Sequence, residues 1–359
     1  MKTLRHYRQL LGWFMICLTA TWLPGPAAQG ATFTWTPTGA GPFTWNTAGN
    51  WTEGVPANAA EDVINLTANL SVAQTINLDI NATLGTLNIG DPTTAFFGYT
   101  LQSLNGSTLT FDNGALAAVL TKAAAATAND LISTNILLGS TGNADFNITN
   151  AVANTSSLLT LAGNISESGL VPKNLVIAGN TAGSSNGVTV LAGTNSFTGT
   201  VSVNSGTLVA VGAASLNSGA ANTLTLASGT TLALRDNGSG YGDRQSIAFG
   251  DDLSIAGSST IAPDRTGLAG FPGSTALNKT IQMNSLSWTA ASTTLTVAPS
   301  NGYGLEITGL TNINQASTTI SVGTLTGSNV VQGLTLSGQV SGDQNWTKTG
   351  TGAIVLTNA

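Results

Sequence analysis

Short units of the form apolar–polar–apolar, closed at once by Gly, Asn, Ser or Asp, most limit what this chain can fold into. Leu159-Thr160-Leu161, Val188-Thr189-Val190, Leu224-Thr225-Leu226, Leu232-Ala233-Leu234, Leu253-Ser254-Ile255, Leu295-Thr296-Val297 and Leu334-Thr335-Leu336 all have it. Alternation puts both apolar side chains on one side of an extended strand and the middle residue on the other. Strands this short cannot build a wide sandwich, but they suit a coil that turns every few residues and stacks on the coil below. Gly and Asn tolerate the positive φ that such corners need. One coil cannot bury its own apolar side, so several must stack and the ends must differ from the middle. The expected fold class is all-β, a parallel β-helix or β-solenoid. At ~20–25 residues per coil and ~4.8 Å per stacked strand, the rod would be roughly 60–75 Å long. Only Ala115 to Ile132, with Lys122 and Ala123 to Ala126, has a composition that competes for helix.

Charge and chemistry narrow the class further. Only 7% of the 359 residues are charged, so hydroxyls and amides supply the polar surface. The single His and single Cys, His6 and Cys17, both fall in the first thirty residues, which read as a secretory signal peptide. Lys2, Arg5 and Arg8 form its basic region, and Leu10 to Leu23 its apolar stretch of about 14 residues, short of the ~18 or more of a spanning helix. Pro24-Gly25-Pro26 breaks that stretch, and Ala28-Gln29-Gly30 supplies the small residues of a cleavage site after Gly30. The mature chain then has neither His nor Cys, which excludes Ser-His-Asp and Cys-His catalysis, disulfides, zinc fingers and haem held by His or Cys. Losing Lys2, Arg5 and Arg8 moves the net charge from −6 to −9, and an acidic surface with seven scattered basic residues argues against nucleic-acid binding. A secreted or cell-surface location follows.

The chain also repeats itself. Leu-Thr-Leu-Ala-Gly-Asn-Ile-Ser at 159 to 166 returns as Leu-Thr-Leu-Ser-Gly-Gln-Val-Ser at 334 to 341. Asn195-Ser196-Phe197-Thr198-Gly199 and Ser205-Gly206-Thr207-Leu208 follow the first copy, and Lys348-Thr349-Gly350-Thr351-Gly352 follows the second. These residues resemble the autotransporter-associated β-strand repeat of secreted bacterial passenger proteins, whose unit runs from Lys-Thr-Gly-x-Gly through Asn-x-Tyr/Phe-Thr-Gly to Gly-Thr-Leu. The first copy has Pro172-Lys173-Asn174 where the Lys-Thr-Gly opening belongs, and the second stops before its aromatic. The resemblance implies a right-handed parallel β-helix, exported and displayed at or released from the outer-membrane surface. An outer-membrane barrel or other anchor is then expected beyond Ala359, with this sequence a fragment of a longer chain. The organisation expected is a signal peptide over 1–30, a Trp-rich N-terminal cap and first coils over 31–90, and irregular β coils over 91–157. The repeat follows over 158–211, then solenoid over 212–330 with a charged loop at 235–265, and an incomplete second repeat over 331–359.

Two places have residues that could carry chemistry. Trp35, Trp45 and Trp51 lie within seventeen residues, beside Phe33, Phe43, Asn46 and Asn50. They could stack on sugar rings, or cover the open end of the solenoid, where unpaired backbone groups need a cap; the cap is the preferred reading. The densest charge is Arg235, Asp236, Asp243, Arg244, Asp251, Asp252, Asp264 and Arg265. Carboxylates with Arg, and with Ca²⁺, are what a β-helix enzyme acting on acidic polysaccharides uses. The run Asp236 to Asp243 loosely suggests a calcium loop but lacks the spacing and terminal Glu of an EF-hand. A solvated loop between coils is preferred. No catalytic, cofactor-binding or metal residue is named, and no cofactor is expected. The expected function is a non-enzymatic, adhesin-like structural passenger that meets surface polysaccharide or neighbouring cells. The alternative is a polysaccharide-degrading enzyme or glycan-binding protein.

Overall fold

The computed structural model describes residues 30–93, 97–139, 145–169, 171–216, 222–239, 245–267, 273–323 and 333–358. The segment read as a signal peptide lies outside them except for Gly30. Each turn of chain lays one strand on each of two faces. Among the described residues, the first face is a 12-stranded sheet from Thr32–Thr34 to Val340–Ser341. The second is a 12-stranded sheet from Phe43–Thr44 to Trp346–Thr349. A third face comes in two parts: four strands from Ala82–Leu84 to Ile165–Glu167, and five from Ser246–Ala248 to Ile354–Leu356. The strands pair in parallel throughout, so the chain is the all-β parallel solenoid that the short apolar units demand.

Register stacks like on like. Phe33, Ile64, Leu87, Leu120, Ile148, Ile177, Val203, Leu226, Ile255 and Trp288 follow one another up the inside of the first face. None is more than 8% exposed. Because side chains alternate with a period of two, slipping one strand by one residue would turn its part of that column to solvent. The stretch Ala115 to Ile132 obeys the same alternation and is not helical. It forms strand Ala118–Lys122, a corner, and strand Asp130–Ile132.

Coils are longer than the sequence spacing implies. Val201 pairs with Leu224, 23 residues on, but Leu87 pairs with Leu120, 33 residues on. The longer coil includes a third-face strand, Thr108–Phe111, that the shorter one lacks among the described residues. The eleven steps between twelve stacked strands, at ~4.8 Å each, make a rod of roughly 50–55 Å, shorter than expected.

The N-terminal tryptophans close the rod. Trp35, Trp45 and Trp51 are 1%, 0% and 3% exposed and meet edge to face, with Trp51 5.0 Å from Trp35 and 4.9 Å from Trp45. Each indole N–H has an acceptor: Trp35 donates to Gln74 Oε1, Trp45 to Ala57 O and Trp51 to Trp45 O. The chain doubles back so that Trp35 and Trp51 bridge antiparallel. Thr52 N then donates to Thr34 O, and Thr34 N donates to Glu53 Oε2, which satisfies backbone groups the first strand would otherwise leave open. These rings are buried, so they offer no platform for a sugar.

The run Asn195 to Gly199 spans a gap. Between Ile165–Glu167 and Ser246–Ala248 no described strand occupies the third face, and Asn195 to Gly199 cross it. Asn195 is fully buried; its Oδ1 accepts Ile165 N at 2.8 Å from the coil below, and its Nδ2 donates to Ser215 O above. Phe197, also fully buried, fills the core where a strand's side chains would have been. A Cβ on Gly199 would sit 2.4 Å from the Lys173 carbonyl carbon, and Gly206 has φ +82° at the next corner, so both positions require glycine. Phe197→Ala should lower stability by about 3–5 kcal/mol through the cavity it leaves. Asn195→Ala should cost about 1–3 kcal/mol for the backbone groups it orphans, while exposed Ser196→Ala stays within about 0.5 kcal/mol. Denaturant midpoints of the three variants check this.

Candidate functional site

The charged stretch of 235–265 is built into the rod rather than gathered over a cleft. Arg235 ends strand Thr231–Arg235 and stands in register with Asp264 on the next coil. Its guanidinium donates to the carbonyls of Leu234 and Ala262, and burial pulls its pKa down. Asp236 accepts Gly238 N at 2.7 Å with one oxygen and Ala213 N, from the coil below, at 3.1 Å with the other. Asp252 Oδ1 accepts Asn284 Nδ2, Ser285 N and Ser285 Oγ. Asp264 Oδ1 accepts its neighbour Arg265 N and Asn301 Nδ2. Asp243 and Arg244 lie outside the described residues. No three His, Cys, Asp or Glu side chains converge as a metal-ligand set among the described residues.

Asp251 is different. It is 1% exposed; Oδ1 accepts Asn222 N at 3.1 Å, and Oδ2 has no hydrogen-bond partner among the described residues. Burial, with the charge of Asp252 adding to it against the Asn222 bond, pushes its carboxyl up to about 7.

A surface feature that the sequence reading missed lies on the outside of the second face. Thr231, Thr260, Thr296, Ser321 and Thr349 stand in one outward column over five successive coils. Thr294, Thr319 and Thr347 form a second column two residues away on the same strands. In the sequence, the signal was the recurrence of Thr294-x-Thr296, Thr319-x-Ser321 and Thr347-x-Thr349. Nearer the N-terminus the outward positions are apolar instead: Leu158, Val188, Val190, Val209 and Ala233 form a small second core. The corner segment 183–185 reaches over this region, with Ser184 O accepting Gly206 N and Ser185 O accepting Thr207 Oγ1.

Where that covering segment ends and the hydroxyl columns begin there is a shallow groove of about 230 Å³. It is lined by Ser185, Gly229, Thr230, Thr231, Ser258, Ser259, Thr260, Thr294 and Thr296. Its side chains are all hydroxyls, each both donor and acceptor, and none ionises near neutral pH. Such a lining suits a neutral polyhydroxylated ligand and has no group to serve as a general acid or base.

No family model, no curated protein and no solved structure matches the chain.

The buried carboxyl makes stability depend on pH. The folded chain holds Asp251 neutral up to about pH 7, whereas the unfolded chain ionises it near pH 4, so folding takes up a proton in that window and stability falls as pH rises through it. Between about pH 5.5 and about pH 8 the loss from this group should be about 2 kcal/mol. Urea midpoints at the two pH values should differ for the native chain, and Asp251→Asn should shrink the difference.

Proposed function

We propose that the protein is a non-enzymatic, secreted or cell-surface rod, an adhesin-like structural passenger of the kind its autotransporter-associated β-strand motifs resemble. Residues 1–30 would direct export. The reading rests on one observation: groups that could have carried chemistry bond one coil to the next. Asp236 reaches back to Ala213, Asp252 forward to Ser285, Asp264 forward to Asn301, and Glu167 forward to Thr198. A rod fastened in this way, with a sparsely charged, hydroxyl-rich exterior, would keep its shape across the changing salt outside a cell, because little of its surface energy is coulombic.

The groove beside the Thr and Ser columns supports a glycan as what the rod meets, through the second face rather than the tryptophans. The test is to incubate the exported protein with immobilised neutral and acidic polysaccharides, measuring retention and release of new reducing ends. Retention on a neutral glycan is expected, with no new ends formed. Replacing Thr260 and Thr296 together by Val should weaken retention at least about tenfold. New reducing ends would overturn the non-enzymatic reading, and retention indifferent to the double replacement would move the contact away from the groove.

A further inference from the structure

Lys122 and Asp130 meet inside the corner where the first face turns into the second. Lys122 is the last inward residue of strand Ala118–Lys122, stacked between Ile89 and Asn150. Asp130 is the first residue of strand Asp130–Ile132, directly below Leu159. The two side chains are 0% and 1% exposed, and Lys122 Nζ is in direct contact with Asp130 Oδ2. Four alanines, Ala123 to Ala126, begin the corner between them.

The partners around this pair do not match those an ion pair needs. An ammonium has three hydrogens to place, and among the described residues Lys122 Nζ has two acceptors, Asp130 Oδ2 and Ala128 O at 2.6 Å. Asp130 Oδ1 accepts the Tyr99 backbone N–H at 2.8 Å. Remove one oxygen from the carboxyl and two hydrogens from the nitrogen, and what remains is one N–H facing Ala128 O and one C=O facing Tyr99 N–H. That is a complete set of partners for a secondary amide. The other titratable groups nearby are occupied: Asp91 accepts Leu70 N, Thr93 N and Thr93 Oγ1, and the Tyr99 hydroxyl donates to Ala68 O at 3.2 Å.

We propose that Lys122 and Asp130 are joined by an intramolecular isopeptide bond that the folded protein forms by itself. The neutral amine of Lys122 attacks Asp130 Cγ and forms the N–C bond. The Tyr99 N–H steadies the charge that develops on Oδ1 in the tetrahedral intermediate. The Cγ–Oδ2 bond then breaks, and Oδ2 leaves as water with the carboxyl proton and one proton from Nζ. Amine plus carboxylic acid gives amide plus water, with no oxidant, reductant or other reactant required. Burial lowers the Lys122 pKa and raises that of Asp130, and both shifts favour the neutral forms that the attack uses. Holding the two groups in contact supplies the high effective concentration such condensations need. Two desolvated charges, which are costly to keep inside the rod, are replaced by a neutral amide whose hydrogen bonds are already in place.

The test is mass spectrometry of the full chain, unfolded and cut with chymotrypsin after Leu120 and Leu131. The peptide Thr121 to Leu131 is expected one water lighter than its linear form, with Lys122 resistant to trypsin and to acetylation in the unfolded protein. Lys122→Arg and Lys122→Met should both restore the linear mass, and Asp130→Asn should give a peptide lighter by one ammonia than its own linear form. A peptide of linear mass from the native chain would overturn the proposal. So would a lighter peptide whose Lys122 still acetylates, because the water would then have left through a succinimide at Asp130.

Discussion

Among the described residues, the strands pair only with strands of the coil before and the coil after. The consequence is that no coil is a folding unit by itself, and any coil whose neighbour fails to present a strand must recover the lost bonds in another way. The structure does so with side chains. Asn195 takes the Ile165 amide where the third face has no strand, Glu53 takes the Thr34 amide at the N-terminal end, and Asn150 donates to the Ser157 and Val188 carbonyls at a corner. The amides and hydroxyls that dominate the composition are therefore structural: they can donate or accept as each interruption requires, without a charge to desolvate.

The strands were legible because alternation alone identifies them. The unit Leu159-Thr160-Leu161 lies in strand Leu158–Leu161, Leu224-Thr225-Leu226 in Thr223–Leu226 and Leu295-Thr296-Val297 in Thr294–Val297. Which face each strand joins was not legible, since all three faces use the same pattern and a strand is told from its neighbours only by what stacks on it. Coil length was hidden for a related reason: a third-face strand such as Thr108–Phe111, or a larger corner, adds residues per turn without changing the register of the other faces. The Thr and Ser columns escaped notice because one is spread over five coils and the other over three, and only pairing across coils makes a column of them. Lys122 was read in an alanine-rich stretch that competes for helix. It lies at the end of an alternating run whose even positions, Ala118, Leu120 and Lys122, all point inward.

Parallel stacking in register also explains where charge can go. Equivalent outward positions lie ~4.8 Å apart along the rod, so a charge repeated from coil to coil would face its own kind. Neutral Thr, Ser and Asn stack at no such cost, as Asn88 on Asn65 and Gln102 on Asn77 do through their amides. Most carboxylates are consequently found at strand ends and corners, where Asp236 and Asp252 accept amide hydrogens from an adjacent coil. Glu306, inside strand Gly304–Ile307, stacks between the neutral Gln282 and Thr335. The hydroxyl face and the low charge have a single origin in this geometry.

Against that rule the pair at Lys122 and Asp130 is an exception that requires its own physics. Other coils put Ile89, Asn150 or Leu159 at the equivalent inward positions, all of them uncharged, so stacking itself gives no reason for two charges there. An ion pair would weaken the coil unless every lone pair and hydrogen were satisfied, because desolvation of buried ions is only partly recovered by their attraction. An amide reverses the balance: its polar groups are satisfied by Ala128 and Tyr99, and it ties the end of one strand to the start of the next across the corner. For a rod that is loaded along its length, a covalent tie at this corner would add to the hydrogen bonds that Ser157 and Leu158 of the next coil make to Ala126, Ala128 and Asn129. The chemistry of the pair and the mechanical reading of the fold thus point in the same direction.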